Sequence, residues 1–338
     1  MSRAQLTSTV EQNTGGAVAP FLAGKNKIIN GDFGIWQRGT SFTNPAGGFT
    51  ADRWAHNADG SGKTIVISQQ AFTPGTAPVA GYEGTYFYRL NQTVAGTGGT
   101  FNVFQTGLED VRLFAGQTVT LSLWAKADAS RLLGFTFVQD FGSGGSSTVG
   151  TFLTGPTVTT AWSRYSVTLT IPSVAGKTIG TSSALRIQIS VPVNTTQTVD
   201  VWGVQLEAGP VATPFTTASG TVQGELAACQ RYYYRITNAG QTPLGTGFGF
   251  STGGFFAVIP YPVTMRVPAT AIDYNALSSI QWQGNAGGNT PTSVAIDANV
   301  NSIYNGGVDI NKTSAFSATG IYSLLLISGG YFGFSAEL

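Results

Sequence analysis

The sequence predicts an all-β protein: a jelly-roll or β-sandwich domain followed by a second small β-sandwich tip domain, joined by a short helix. Three observations carry this expectation. Short runs with a β-branched or aromatic residue at every second position recur along the chain, which places one side of each strand in a core and the other near water. Glycine, proline, asparagine or aspartate fills nearly every gap between the runs. Only one stretch has helical spacing, so the helical crossovers that a parallel sheet requires are missing.

In chain order, residues 1–25 are polar and Gly/Ala-rich without periodicity, which reads as a tail or adaptor. Residues 26–220 hold the alternating runs 64–68, 86–90, 118–124, 164–171, 185–191 and 198–206, the pattern of a jelly roll. Residues 221–235 read as a junction helix: Thr221 can cap it, Glu225 lies in its first turns, and Leu226, Cys229 and Tyr233 recur at helical spacing. Residues 236–338 read as a compact β domain with strand-like runs at 258–263, 293–297 and 322–327. No charged residue stands between Arg235 and Arg266, and residues 245–256 are rich in glycine and phenylalanine. The absence of a fixed-period repeat argues against a β-helix or a propeller.

Composition removes several functional classes. The 338 residues suffice for two domains, and 42% hydrophobic with 12% aromatic content exceeds what a disordered chain carries. Only 10% of residues are charged, against roughly 25% in an ordinary soluble protein. The net charge of +1, from 17 basic and 16 acidic side chains, leaves no footprint for nucleic acid or an anionic membrane surface. No apolar run approaches the roughly 18 residues that span a bilayer, which argues against membrane insertion. The first residues lack the apolar core of a secretory signal, so synthesis in a cytoplasm without such export is expected. Cys229 is the only cysteine, which forbids an intrachain disulfide and leaves stability to packing, metal or assembly.

The residues assemble no evident catalytic motif. His56 is the only histidine, so histidine triads and two-histidine metal sites fail by count. Glu109 and Asp110 are the one adjacent carboxylate pair, but neighbours in a strand point to opposite faces, and a turn before Leu113 is the simpler reading. Carboxylates such as Asp32, Asp52 or Glu109 would have to serve a polysaccharide depolymerase, the enzymatic alternative. Binding is better supported, because aromatic rings stack on sugar faces while polar side chains meet hydroxyls. Trp124, Trp162 and Trp202 sit inside strand runs and read as core, whereas Trp36, Arg53, Trp54 and Trp282 have polar or loop-like neighbours and form the expected glycan site. A structural calcium is a further expectation: Asn30 and Asp32 at the first strand would join Asp200 or Glu207 near the last, with turn chemistry as the competing reading.

One resemblance covers nearly the whole chain. Residues 27–39 (KIINGDFGIWQRG) and 50–54 (TADRW), then 121–127 (LSLWAKA), 162–167 (WSRYSV), 201–209 (VWGVQLEAG) and 225–233 (ELAACQRYY), resemble a module of bacteriophage tail-fibre and other virion fibre proteins that is similar to carbohydrate-binding-module jelly rolls. Residues 261–266 (YPVTMR) and the ending 329–338 (GGYFGFSAEL) resemble the distal domain of such fibres. The resemblance implies a non-enzymatic virion component, a homotrimer that docks on other virion proteins through residues 1–25 and faces host cell-surface glycan with its distal domain. Tail fibre and head fibre are both compatible with it, and a capsid-decorating stabilisation protein is the structural alternative. The charge-poor C-terminal domain agrees at an independent point: residues 236–265 are the expected intersubunit face, and residues 281–291 the expected host-contact loop.

Overall fold

The computed structural model describes residues 24–338 except 80–81, 239, 285–286, 313–315, 318 and 328. Its regular structure is almost wholly antiparallel strand, and it divides into two compact units, one running to Leu226 and taking in Leu338, the other spanning Ala227–Glu337.

The first unit is a two-sheet β-sandwich. Its eleven strands are β1 (Ser41–Thr43), β2 (Ala55–Ala58), β3 (Thr64–Ala71), β4 (Tyr86–Val94), β5 (Asn102–Glu109), β6 (Thr118–Ala127), β7 (Arg131–Asp140), β8 (Val149–Val158), β9 (Ser163–Thr170), β10 (Ala184–Val191) and β11 (Gln197–Ala208). One sheet has the order β1-β3-β4-β11-β6-β9 and the other β2-β5-β10-β7-β8. The neighbours in these orders are often distant in sequence, as a jelly roll requires.

The strands form because their apolar residues alternate. In β10, Leu185, Ile187, Ile189 and Val191 are buried while Arg186, Gln188 and Ser190 face outward, and β7 buries Leu133, Phe135 and Phe137 in the same way. These side chains meet Ile65, Ile67, Leu90, Leu121, Leu123, Val199 and Val201 of the six-stranded sheet in one core. Strand β11 departs from strict alternation. A register shift between Trp202 and Gln205 surrounds Gly203, which has φ +64, so that Val204 and Leu206 continue the core side that Val199 and Val201 begin.

The expected strand at Asn30 is instead a series of turns. Asn30 has φ +55, and its side chain binds the backbone around it: Nδ2 donates to Ile35 O at 2.8 Å and to Asp52 O at 2.9 Å, while Oδ1 accepts the Ile35 N–H at 3.0 Å. The turn lies directly on β11, with Val204 N–H donating to Gly31 O at 2.8 Å. A Cβ at Gly31 would stand 2.1 Å from Val204 O, which is why only glycine fits there.

The helix α1 spans Val222–Gln230, shorter than the expected 221–235. Thr221 caps it as expected, its Oγ1 accepting the Gly224 N–H at 3.0 Å. Tyr233 leaves the helix because it opens β12 (Tyr233–Thr237), whose aromatic and β-branched residues pair with the last strand of the chain. The boundary between the units accordingly falls inside α1, earlier than the expected residue 236.

The second unit holds β12 and β13 (Thr242–Ser251), β14 (Gly254–Pro260), β15 (Ala271–Tyr274), β16 (Ile280–Gly284), β17 (Gly287–Asn289), β18 (Ser293–Ile296), β19 (Asn305–Asn311), β20 (Ile321–Leu326) and β21 (Tyr331–Ser335). A three-stranded sheet, β12-β21-β15, and a seven-stranded sheet, β17-β16-β20-β13-β14-β19-β18, enclose a core that includes Phe255, Ile259, Val308, Ile310, Leu324, Phe332 and Phe334. The expected host-contact loop at 281–291 is therefore largely the edge hairpin β16-β17. The expected intersubunit stretch 236–265 supplies β13 and β14 at the middle of the larger sheet. Leu244, Phe255, Ala257 and Ile259 face the core from these strands, while Phe248 and Phe250 project from β13 with 56% and 51% of their surfaces exposed.

Candidate functional site

None of the residues expected to hold glycan is an open platform. Trp54 is fully buried, its ring 5.0 Å from Phe33 and 5.9 Å from Phe104, and its indole N–H donates to Asn30 O at 3.0 Å. Arg53 beside it is buried and donates from Nη2 to Gly107 O at 2.5 Å. Trp36 is half-buried, stacked 5.9 Å from Tyr88 with its N–H on Phe33 O at 2.7 Å. Trp282 is 2% exposed in the core of the second unit, 4.6 Å from Phe316. Polar neighbours in sequence misled here, because residues beside an indole in a turn or strand face away from it while the ring turns inward.

The expected calcium ligands do not converge either. Asp200 accepts two hydrogen bonds from Arg89, at 2.7 and 2.8 Å, and lies 3.6 Å from Lys126 Nζ. Glu207, on the same strand, accepts from Gln205 at 2.7 Å and from Thr213 N–H at 2.9 Å and pairs with Lys25 at 3.2 Å. Burial would raise its carboxyl, yet the bonds from Thr213, Gln205 and Lys25 hold it below the usual carboxylate range. Asn30 spends its side chain on the turn, and Asp32 faces Glu225 of α1 instead of either β11 carboxylate. Among the described residues no three acidic, histidine or cysteine side chains form a metal-holding group.

The other chemically suggestive residues have structural partners. His56 is buried, its Nε2 2.6 Å from Asn102 Oδ1, and burial pulls its pKa down. Asp52 binds Gln37 through the backbone N–H at 2.9 Å and through the side-chain amide. Glu109 closes β5, and Asp110 begins a turn with φ +70, in which it binds Arg112. Cys229 is buried.

The sandwich presents two outward sheet faces, and they are filled differently. On the six-stranded sheet a satellite cluster of Phe72, Phe87, Trp124, Trp202 and Phe215 is closed over, with Tyr82 and Trp162 packed against it. The outward face of the five-stranded sheet has Leu338 packed against Gly107 of β5 and is exposed toward β8. There the strand register lines up Gln105 of β5, Gln188 of β10, Thr136 of β7 and Phe152 of β8 in one row across the sheet. Gln188 Nε2 donates to Gln105 Oε1 at 2.8 Å, which fixes both amides and leaves Gln188 Oε1 and Gln105 Nε2 for a ligand. Phe152 ends the row with 78% of its surface exposed, and beside it Leu132, Thr154 and Ser190 line a groove of about 320 Å³.

The adjoining row carries charge. Arg186 donates to Asp140 Oδ2 at 3.1 and 2.9 Å. Burial works to raise the Asp140 carboxyl, but the Gly142 N–H and Arg186 outweigh it and hold the group low, so it stays ionised at neutral pH. Stacking surface, two fixed amides, hydroxyls and an ion pair on a rigid sheet are the chemistry that meets a ring with an apolar face and hydroxyl edges. The alternation of 185–191 is visible in the sequence, but the row across the sheet is not. Phe152 stands in a Gly/Thr-rich run whose partners become visible only once the register is known.

No family model matches the sequence, and no curated protein matches it. Among solved structures, the enzymatically active domain of bacteriophage CBA120 tailspike protein 4 aligns at 16% identity and TM-score 0.35, over 55% of this chain and 22% of that one. The CBM22-1 xylan-binding domain of Paenibacillus barcinonensis Xyn10C aligns at 15% identity and TM-score 0.31, over 51% of this chain and 94% of that one. A cyclase from Fischerella sp. TAU, in complex with 4-(1H-indol-3-yl)butan-2-one, aligns at 15% identity and TM-score 0.37, covering 55% and 98%. The chain thus spans about a fifth of the tailspike domain's length.

Proposed function

We propose that this chain is a non-enzymatic subunit of a short bacteriophage virion fibre and that it holds host-surface glycan on the outward face of its five-stranded sheet. The observation that carries the glycan reading is the row Gln105–Gln188–Thr136–Phe152, a stacking ring and two fixed amides in register on one face of the sheet. The virion reading is supported by the fibre-like motifs, which run from residue 27 to residue 338. In this reading residues 1–25 dock on the particle; all but the last two lie outside the described residues. The subunits form a homotrimer, and the exposed rings Phe248 and Phe250 on an uncharged stretch are the surface that another subunit covers.

A glycan array read with the full chain and with Phe152→Ala tests the binding. Retention by the wild type and loss by the variant supports the reading; equal retention by both removes this face from it. Imaging of labelled protein in the virion tests the location, and absence from the particle overturns the fibre assignment. Release of reducing ends from host capsule by the purified chain would replace binding with depolymerisation.

A further inference from the structure

Away from the sheet row, the first unit contains a cavity of about 470 Å³. It is bounded by the turn at Asp32–Ile35, the segment Tyr82–Tyr86 that leads into β4, and residues 217–225, which end in the first turn of α1. Three carboxylates, Asp32, Glu83 and Glu225, line it together with the rings of Tyr82 and Tyr86. No lysine, arginine or histidine is among its lining residues, a formal charge of three negatives without a cation.

The electrostatics register that imbalance. Burial first, and then the nearby Glu225 carboxylate, pushes the Asp32 carboxyl up to about 6. Burial first, then Asp32 and Glu225, pushes the Tyr82 phenol up to about 12. Glu225 itself is anchored, since its two oxygens accept the Asn30 N–H at 2.8 Å and the Ser219 N–H at 2.6 Å. It is therefore a fixed negative wall that cannot swing away from Asp32.

Trp202 packs behind one wall of the cavity. It is fully buried, its indole N–H has no hydrogen-bond acceptor among the described residues, and its nitrogen would stand 2.8 Å from a Cβ on Gly84, a lining residue. Only glycine fits at that wall.

We propose that this cavity binds a protonated amino sugar, with its ammonium group between Asp32 and Glu225 and its ring against Tyr82. The ammonium supplies the charge that the lining lacks, and the aromatic wall attracts a cation as well as a sugar face. A bare divalent ion is a poorer complement, because a space of about 470 Å³ with two tyrosine rings is far larger than an oxygen-ligand cage. The amino sugar also brings the hydroxyl acceptors that an alkylammonium side chain would not.

This inference deepens the glycan reading but uses a different surface, so the two fail separately. Calorimetric titration of the full chain with glucosamine at pH 7.5 is expected to show binding, with N-acetylglucosamine at least about tenfold weaker because it has no charge. Binding should also weaken on acidification through pH 6 as Asp32 protonates. Asp32→Asn should abolish it, while Phe152→Ala leaves it intact. Equal affinity for glucosamine and N-acetylglucosamine would overturn the proposal, as would undiminished binding at pH 5. Methylammonium or calcium ion binding as tightly as glucosamine would also overturn it. The wild-type comparisons of ligand and pH stand even where Asp32→Asn fails to fold. Glucosamine binding without array binding would retain the cavity and sink the sheet-face reading, and the converse would do the opposite.

Discussion

The outward faces of the five-stranded and seven-stranded sheets both expose phenylalanine rings, but in opposite company. Phe152 of the first stands in line with Gln188, Gln105 and Thr136, next to an Arg186–Asp140 ion pair. Phe248 and Phe250 of the second stand on β13, where the residues between and around them are glycine, threonine and serine, and the cross-strand neighbours of Phe248 are Phe256 and the 67% exposed Ile321. Fixed hydrogen-bonding groups beside a ring select a ligand by its hydroxyl pattern; rings without them select only apolar area. In the proposed reading the same amino acid marks a ligand surface in one unit and an association surface in the other.

The largest expected effect separates either outward face from the core behind it. Trp54→Ala should cost about 3–5 kcal/mol in denaturant unfolding, because it empties a buried site that packs on Phe33 and Phe104. Any change in glycan binding should then follow only from unfolding. If that variant keeps full stability and loses binding, Trp54 belongs to a site after all.

Next comes the double substitution Phe248→Asp with Phe250→Asp. Light scattering should move from three times 35.2 kDa for the wild type to a single 35.2 kDa chain, since charge on each ring position opposes burial between copies. A wild type that is already monomeric at micromolar concentration would break the comparison outright. The matching change on the other face, Phe152→Asp, should leave the mass unaltered.

Smaller effects sharpen the ligand side. Phe152→Ala should lower glycan affinity by about tenfold with a stability change within about 0.5 kcal/mol, as expected for an exposed ring. Gln188→Ala should weaken binding less and should also release Gln105 from its fixed orientation.

The smallest concerns pH. The folded-state pKa of Asp32 is raised to about 6, so the folded chain holds a proton that the unfolded chain gives up near the ordinary value of 3.8. The stability from this group is fully present below 3.8 and is lost as pH rises through about 6. Asp32→Asn should therefore raise Tm at pH 7.5 by about 2–4 °C and have no such benefit at pH 3.5. An equal shift at both pH values would show that the carboxyl is not the cause.

Much of the fold was legible in the sequence because alternation is a local property: 64–68, 118–124, 185–191 and 198–206 all lie within observed strands. Thr221 announced the helix start for the same reason. The candidate site was not legible, because it depends on which strands are neighbours. Gln105, Thr136, Phe152 and Gln188 lie on four strands and acquire meaning only in register. Trp54 and Trp282 show the converse error, since polar sequence neighbours say nothing about the direction of a ring. Asp32 was expected beside the acids of β11; the carboxylate that acts on it in the structure is Glu225 on the helix, far along the chain.

Strand β11 carries one more consequence, for the order in which the first unit is made. It pairs Val199 with Leu90 on one side and with Ala127 on the other, so it is the wedge between β4 and β6. A chain still emerging from the ribosome holds β4 and β6 long before β11 exists, and must keep two unsatisfied strand edges apart until then. Pairings this distant in sequence also fold slowly. Completion of the sandwich thus waits on residues 197–208.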